Sequence, residues 1–128
     1  MEKIDRISLK NLDNLFDDVP CYKTIKWHSY DIVLKQLLSF DQFVNVVRAI
    51  FKDCKIPDTD NMVQLELIDF AIKTNIISAY ANVELPENSE DLYKVIYGTD
   101  LYELVCDNVS RVQVKSIIDS VMLCLSGR

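Results

Sequence analysis

Histidine and tryptophan occur once each in this chain, side by side at Trp27 and His28, and glycine occurs only twice. Each scarcity excludes something. Neither Gly98 nor Gly127 stands in a GxGxxG or GxxxxGK run, so no phosphate-cradling loop is present. No GxSxG nucleophile elbow is present either. With one histidine, a zinc site would have to gather all four cysteines, Cys21, Cys54, Cys106 and Cys124, from four separate segments. Structural zinc draws its ligands in close pairs, and no CxxC exists here. Three prolines and two glycines leave no room for a long flexible linker. No apolar run approaches the roughly 20 residues that cross a bilayer. The opening MEKIDRISLK is charged and lacks the apolar stretch of a signal peptide, so a cytosolic protein is the default expectation. Like charges never run to five in a row, which removes acidic or basic tails.

What is present suits one domain. The chain has 128 residues, 49% of them hydrophobic and 27% charged, enough for a single core. The net charge of −6 argues against nucleic acid, which is bound mainly through Lys and Arg on phosphate. Carboxylates spaced to mimic DNA are the competing reading of the same acids, and ordinary solubilising charge is the simpler one. The cysteines read as reduced thiols, with Cys54 and Cys124 falling on apolar stripes as small buried hydrophobes do.

The pattern is mainly helical, an α+β chain with one hairpin at about 23–35 packed on about five helices. Residues 1–23 read as an N-terminal extension, in which Ser8 caps a short helix carrying Leu9, Leu12 and Phe16, closed by Pro20. Residues 24–125 read as hairpin plus helical core. In TIKWHSYDIVLK, a two-residue turn at His28-Ser29 sets Trp27 opposite Tyr30, Lys26 opposite Asp31, Ile25 opposite Ile32 and Thr24 opposite Val33. One sheet face then collects Ile25, Trp27, Tyr30, Ile32 and Leu34, and the other a Lys26–Asp31 ion pair. A slip of one residue would scramble that sorting. Trp27 therefore reads as a core anchor and His28 as a turn residue in water.

Helix starts are legible downstream. LSFDQF offers Ser39 and Gln42 as a capping box with Leu38 and Phe43 as its staple. Phe40, Phe43, Val44, Val47, Ile50, Phe51 and Cys54 follow on one face. A helix at about 62–82 is apolar nearly all round, with only Glu66, Asp69 and Lys73 as a polar stripe. It is expected to be the spine of the core. A short helix follows with Leu92, Tyr93, Ile96 and Tyr97 inward and Gly98 at its end. Another starts at Thr99. Ser110 and Gln113 form a second capping box with Val109 and Val114 as staple, and Val114, Ile117, Ile118, Val121 and Leu125 line the last helix.

Few residues look chemical. His28 lacks a separated nucleophile and orienting partner, since Ser29 adjoins it in sequence. DTDN at 58–61 begins like a calcium loop, but Met62, Val63 and Asp69 stand where an oxygen ligand, a Gly and a Glu are required. Asp60 or Asn61 reads better as an N-cap. The carboxylate pairs Asp17-Asp18 and Glu90-Asp91 lack the apolar setting that raises a pKa. No enzyme, cofactor or metal is expected. Tyr93, Tyr97 and Tyr102 form a cluster that reads either as core or as interface; the i, i+4 spacing beside Leu92 and Ile96 favours Tyr93 and Tyr97 as core, which leaves Tyr102 exposed as a contact residue. The expected protein contacts are His28 and Ser29 at the hairpin tip, the Lys26–Asp31 face beside it, and Tyr102.

Three segments, IKWHSYDIVLKQLLS, DFAIKTNIISAYANVELP and YKVIYGTDLYELV, together resemble a family of small phage and prophage proteins of Gram-positive bacteria. The resemblance spans about Thr24 to Leu123. His-Ser departs from the Asn-Gly-like turn of that family. The family carries no catalytic residues onto this chain. It implies a viral gene product in the bacterial host cytoplasm during infection or in the virion, working in the particle, its neck or tail, or in assembly. The partner implied is a phage structural protein. The alternative is an anti-defence inhibitor whose acids meet a host immune protein. Self-association through a self-complementary patch is a further expectation. Neither nucleic acid nor membrane is expected as a partner.

Overall fold

The alternation at TIKWHSYDIVLK and the capping signals at Ser39, Asn88 and Ser110 divide the chain into a hairpin and a run of helices. A computed structural model describes residues 5, 6, 8–10, 21–54 and 61–126, and their side chains except at 61–64. Strands β1 (Tyr22–Trp27) and β2 (Tyr30–Lys35) form the antiparallel hairpin. Five helices follow among the described residues: α1 (Phe40–Asp53), α2 (Asn61–Tyr80), α3 (Ser89–Gly98), α4 (Leu101–Asp107) and α5 (Arg111–Ser126). The fold is thus α+β and mainly α.

The hairpin register is the one its side chains demand. Trp27 pairs with Tyr30, Lys26 with Asp31, Ile25 with Ile32 and Thr24 with Val33, and the ladder continues to Tyr22 and Lys35. His28 has a φ of 56°, the left-handed conformation that a two-residue turn requires and that glycine or asparagine adopts more readily. β2 does not leave its outer edge bare. Asn82, just beyond α2, donates its backbone N–H to the Val33 carbonyl at 3.2 Å, and its Oδ1 accepts from Val33 N–H at 2.9 Å. A single bridge joins Leu34 to Ala81 beside them. At the other edge β1 carries Lys23 and Lys26, charges that discourage a further strand from pairing.

α2 is central, as its nearly all-round apolar surface requires. Ala71, Ile72, Ile76, Ile77 and Tyr80 are buried along it, and α1 and α5 contribute Val46, Ile50, Val114, Ile117 and Val121 to the same core. α1 starts with the complete Ser39–Gln42 capping box. At α5 the box is half made. Ser110 Oγ accepts from Gln113 N–H at 3.2 Å, but the Gln113 amide is engaged elsewhere. Its Oε1 accepts from Leu38 N–H at 2.7 Å and from the Tyr80 hydroxyl at 2.6 Å, and its Nε2 donates to the Leu38 carbonyl at 3.0 Å. One side chain thereby ties the hairpin exit, the end of α2 and the start of α5. Gln36 reinforces the seam, donating through Nε2 to the Asn108 carbonyl at 2.7 Å and accepting at its own carbonyl from Ser110 N–H at 3.0 Å.

Several expectations need correction. Ser8, Leu9 and Lys10 are not helical, and Leu12, Phe16, Asp17, Asp18 and Pro20 lie outside the described residues. So do Asp58 and Asp60; Asn61 is the first helical residue rather than the cap. Phe40 is exposed, while Val46 takes a buried place on the inner face of α1. Cys124 is exposed, unlike Cys54, and no disulfide joins the four cysteines. Gly98 ends α3 without entering the left-handed region, and Thr99 caps it in extended conformation. No helix of the described residues is long and apolar enough to cross a membrane.

Candidate functional site

Burial falls steeply along the inner face of the hairpin. Leu34 and Ile32 are 0% and 2% exposed, whereas Tyr30, on the same face two residues earlier, is 63% exposed. Helical cover ends between Ile32 and Tyr30, and Trp27 stands at that boundary. The indole is half-buried, packed against the core on one side and open on the other. It is therefore a groove wall rather than the sealed core anchor its position on the apolar face suggests. An indole N–H also needs a partner, and this one donates to Asp100 Oδ1 at 2.9 Å. Asp100 precedes α4 and makes no side-chain capping bond of its own; Thr99 Oγ1 accepts from Leu101 N–H at 3.3 Å instead. The carboxylate is given over to holding the indole.

The groove beside Trp27 has a volume of about 390 Å³. Its walls are Trp27, Tyr30, Asp31 and Ile32 from the hairpin, the 82–86 segment ending in Leu85 and Pro86, and Val95 and Leu101 from α3 and α4. Trp27 and Tyr30 stack with ring centroids 6.3 Å apart and planes inclined at 29°. His28 meets the indole edge-on at 4.7 Å. Lys26 Nζ sits 2.6 Å from Asp31 Oδ1, as the register requires, with both side chains mostly in water. His28, Ser29, Lys26 and Asp31 are thus brought together as an exposed tip, of which Asp31 lines the groove. Pro86 and Leu85 form the opposite wall, and the register gave no sign of them, because the 82–86 segment reaches β2 only through the tertiary fold.

The tyrosines of the second half trade places with the expectation. Tyr102 is half-buried beside Cys106, and burial first, then its hydrogen bond with that thiol, pushes its ionisation well above the ordinary range. Burial likewise raises the Cys106 thiol. As a contact residue Tyr102 is therefore poorly placed. Tyr93 and Tyr97 are the exposed pair, at 55% and 43%. The reason is geometric. Leu92 and Ile96 form one row of α3 and Tyr93 and Tyr97 the adjacent row, rotated by one residue, and only the first points at the core. The two rings meet at 5.5 Å, and Phe70 stacks on Tyr97 at 6.0 Å. The Tyr97 hydroxyl donates to Asp69 Oδ2 at 2.7 Å. Burial foremost, then the bond to Asp69 and its charge, raises the Tyr97 ionisation well above normal. Lys73 Nζ pairs with Asp69 Oδ2 at 3.2 Å and lies 5.0 Å from the Tyr97 ring centre and 5.5 Å from that of Tyr102.

Glu90 and Asp91 have a local role. They occupy the first turn of α3, where Asn88 Oδ1 accepts from both of their backbone N–H groups at 2.9 and 3.1 Å and the helix dipole favours negative charge. Among the described residues no three of His, Cys, Asp and Glu come together at metal-binding distance. What the described surface offers is two aromatic-walled grooves, one on each side of α3. No family model, curated protein or solved structure matches this chain.

Proposed function

We propose that this chain is a non-enzymatic bacteriophage protein acting through protein–protein contact, as a component of the virion, its neck or tail, or of its assembly. The observation that carries the contact reading is the hairpin groove. An indole held by Asp100, a tyrosine stacked beside it and a Leu85-Pro86 wall together make a preformed apolar slot. Its aromatic composition matches that of binding hot spots. The phage context rests on the resemblance of the 25–39, 69–86 and 93–105 segments. The occupant proposed is an apolar segment of a phage structural protein, with the tip residues Lys26, His28, Ser29 and Asp31 as the polar rim.

The test is affinity capture of the tagged chain during infection, followed by mass spectrometry, with Tyr30→Ala as the comparison. A stoichiometric phage structural protein, lost with Tyr30→Ala while stability is retained, is the expected result. Binding should also shift the emission of Trp27, the sole tryptophan. A virion proteome that recovers the other late proteins without this one removes the particle version. The −6 charge supports a second reading, an inhibitor whose acids face the basic channel of a host defence protein. A stoichiometric host nuclease in the same capture would favour it.

A further inference from the structure

The second groove, between α2 and α3, has a volume of about 790 Å³ and carries on its rim a charge that no described residue matches. Its walls are Leu65, Phe70, Tyr93 and Tyr97, and its rim carries Glu66 and Asp69. Leu65 is 60% exposed, so the patch is both aromatic and open. The two acids are not equivalent. Asp69 is answered by Lys73 and by the Tyr97 hydroxyl. Glu66 is exposed and has no ion-pair or hydrogen-bond partner among the described residues. One net negative charge therefore stands beside aromatic faces and an exposed leucine.

We infer that this groove is a docking site for a protein segment that presents an arginine next to an apolar side chain. The guanidinium lies over Tyr93 and pairs with Glu66, and the apolar neighbour covers Leu65. Three features select that chemistry. A planar cation stacks on a tyrosine face and forks onto a carboxylate, which an ammonium does less well. The aliphatic stem of arginine covers apolar wall while its head reaches the acid. The volume exceeds one side chain and accommodates a short stretch of peptide. The fold already uses this pairing once, since Lys73 lies against Tyr97 while bound to Asp69. The inference deepens the contact reading above by stating what the partner must carry, and it concerns a different surface from the Trp27 groove.

The blocked tripeptide acetyl-Leu-Arg-Leu-amide and its citrulline analogue, which keeps shape and loses charge, provide the test by NMR titration. The arginine peptide is expected to bind up to about fivefold more tightly, the upper end of what one exposed ion pair supplies. Its shifts should centre on Glu66, Phe70, Tyr93 and Tyr97. Glu66→Gln should narrow the difference between the peptides to what stacking of the cation on Tyr93 supplies, without altering the melting temperature, and Tyr93→Ala should weaken both. Equal binding of the two peptides, no binding, or shifts centred elsewhere overturns the inference. So does a concentration-dependent shift of these residues in the free protein, which would assign the groove to a second copy. A partner captured from infected cells whose binding ignores Glu66→Gln would sink this inference and leave the contact reading standing. Failure to capture any partner would do the reverse if the peptide result holds.

Discussion

The two ends of the hairpin share one alternating pattern and meet opposite fates. At the base, Leu34 and Leu38 are sealed, and Gln36 and Gln113 stitch the hairpin exit to α5 and the 108–110 segment before it through four hydrogen bonds to main-chain or amide groups. At the tip, Trp27 is half-covered and Tyr30 lies open, although both occupy the same sheet face as Leu34. Alternation sorts side chains onto faces, but whether a face is covered depends on what the rest of the chain brings to it. Stability should therefore be concentrated at the base and recognition at the tip.

That contrast can be broken most directly at Leu34. Leu34→Ala should cost about 3–4 kcal/mol in chemical denaturation, the range for a fully enclosed leucine. Gln113→Leu comes next, at about 2 kcal/mol, because Leu38 N–H and the Tyr80 hydroxyl lose a shared acceptor inside the seam. Tyr80 also predicts a pH response. Burial, with a smaller contribution from Cys106, holds its ionisation well above the ordinary value of 10.0. The unfolded chain releases that proton first. Stability is therefore whole below pH 10 and falls as pH rises beyond it. Tyr97 and Tyr102 act in the same direction, so Tyr80→Phe should lessen the alkaline loss rather than remove it.

Trp27→Ala should cost only about 1–2 kcal/mol, less than Leu34→Ala despite the larger side chain, since the indole keeps one face in water. A larger loss at Trp27 than at Leu34 would reverse the assignment of base and tip. Lys26→Ala should be smallest, below about 1 kcal/mol and shrinking with added salt, because the ion pair with Asp31 is exposed.

Much of the fold was legible because it follows from local rules. The hairpin register, the Ser39–Gln42 cap and the spine at α2 all came from spacing alone. Each depends on neighbours within a few residues or on a helix face long enough to average over. The misreadings share one cause. Phe40, Tyr93 and Tyr97 sit on apolar-looking stretches that the other described elements leave open or cover only in part, as Phe70 does at Tyr97. Gln113 stands where a capping glutamine belongs, yet its amide is drawn to Leu38 and Tyr80, groups 75 and 33 residues away.

The candidate surfaces divide the same way. The tip residues His28, Ser29, Lys26 and Asp31 were placed by register. Leu85, Pro86 and Asp100, which turn the tip into a groove, were not. The amino-acid order determined which residues are strand, which are helix and which face each side chain shares, because those depend on backbone geometry and short-range bonds. Only tertiary packing decided that Trp27 is a wall, that Tyr102 is more buried than Tyr93 and Tyr97, and that Glu66 has no counter-charge among the described residues. Cover and charge matching are set by segments far apart in the chain, and no local periodicity encodes where they meet.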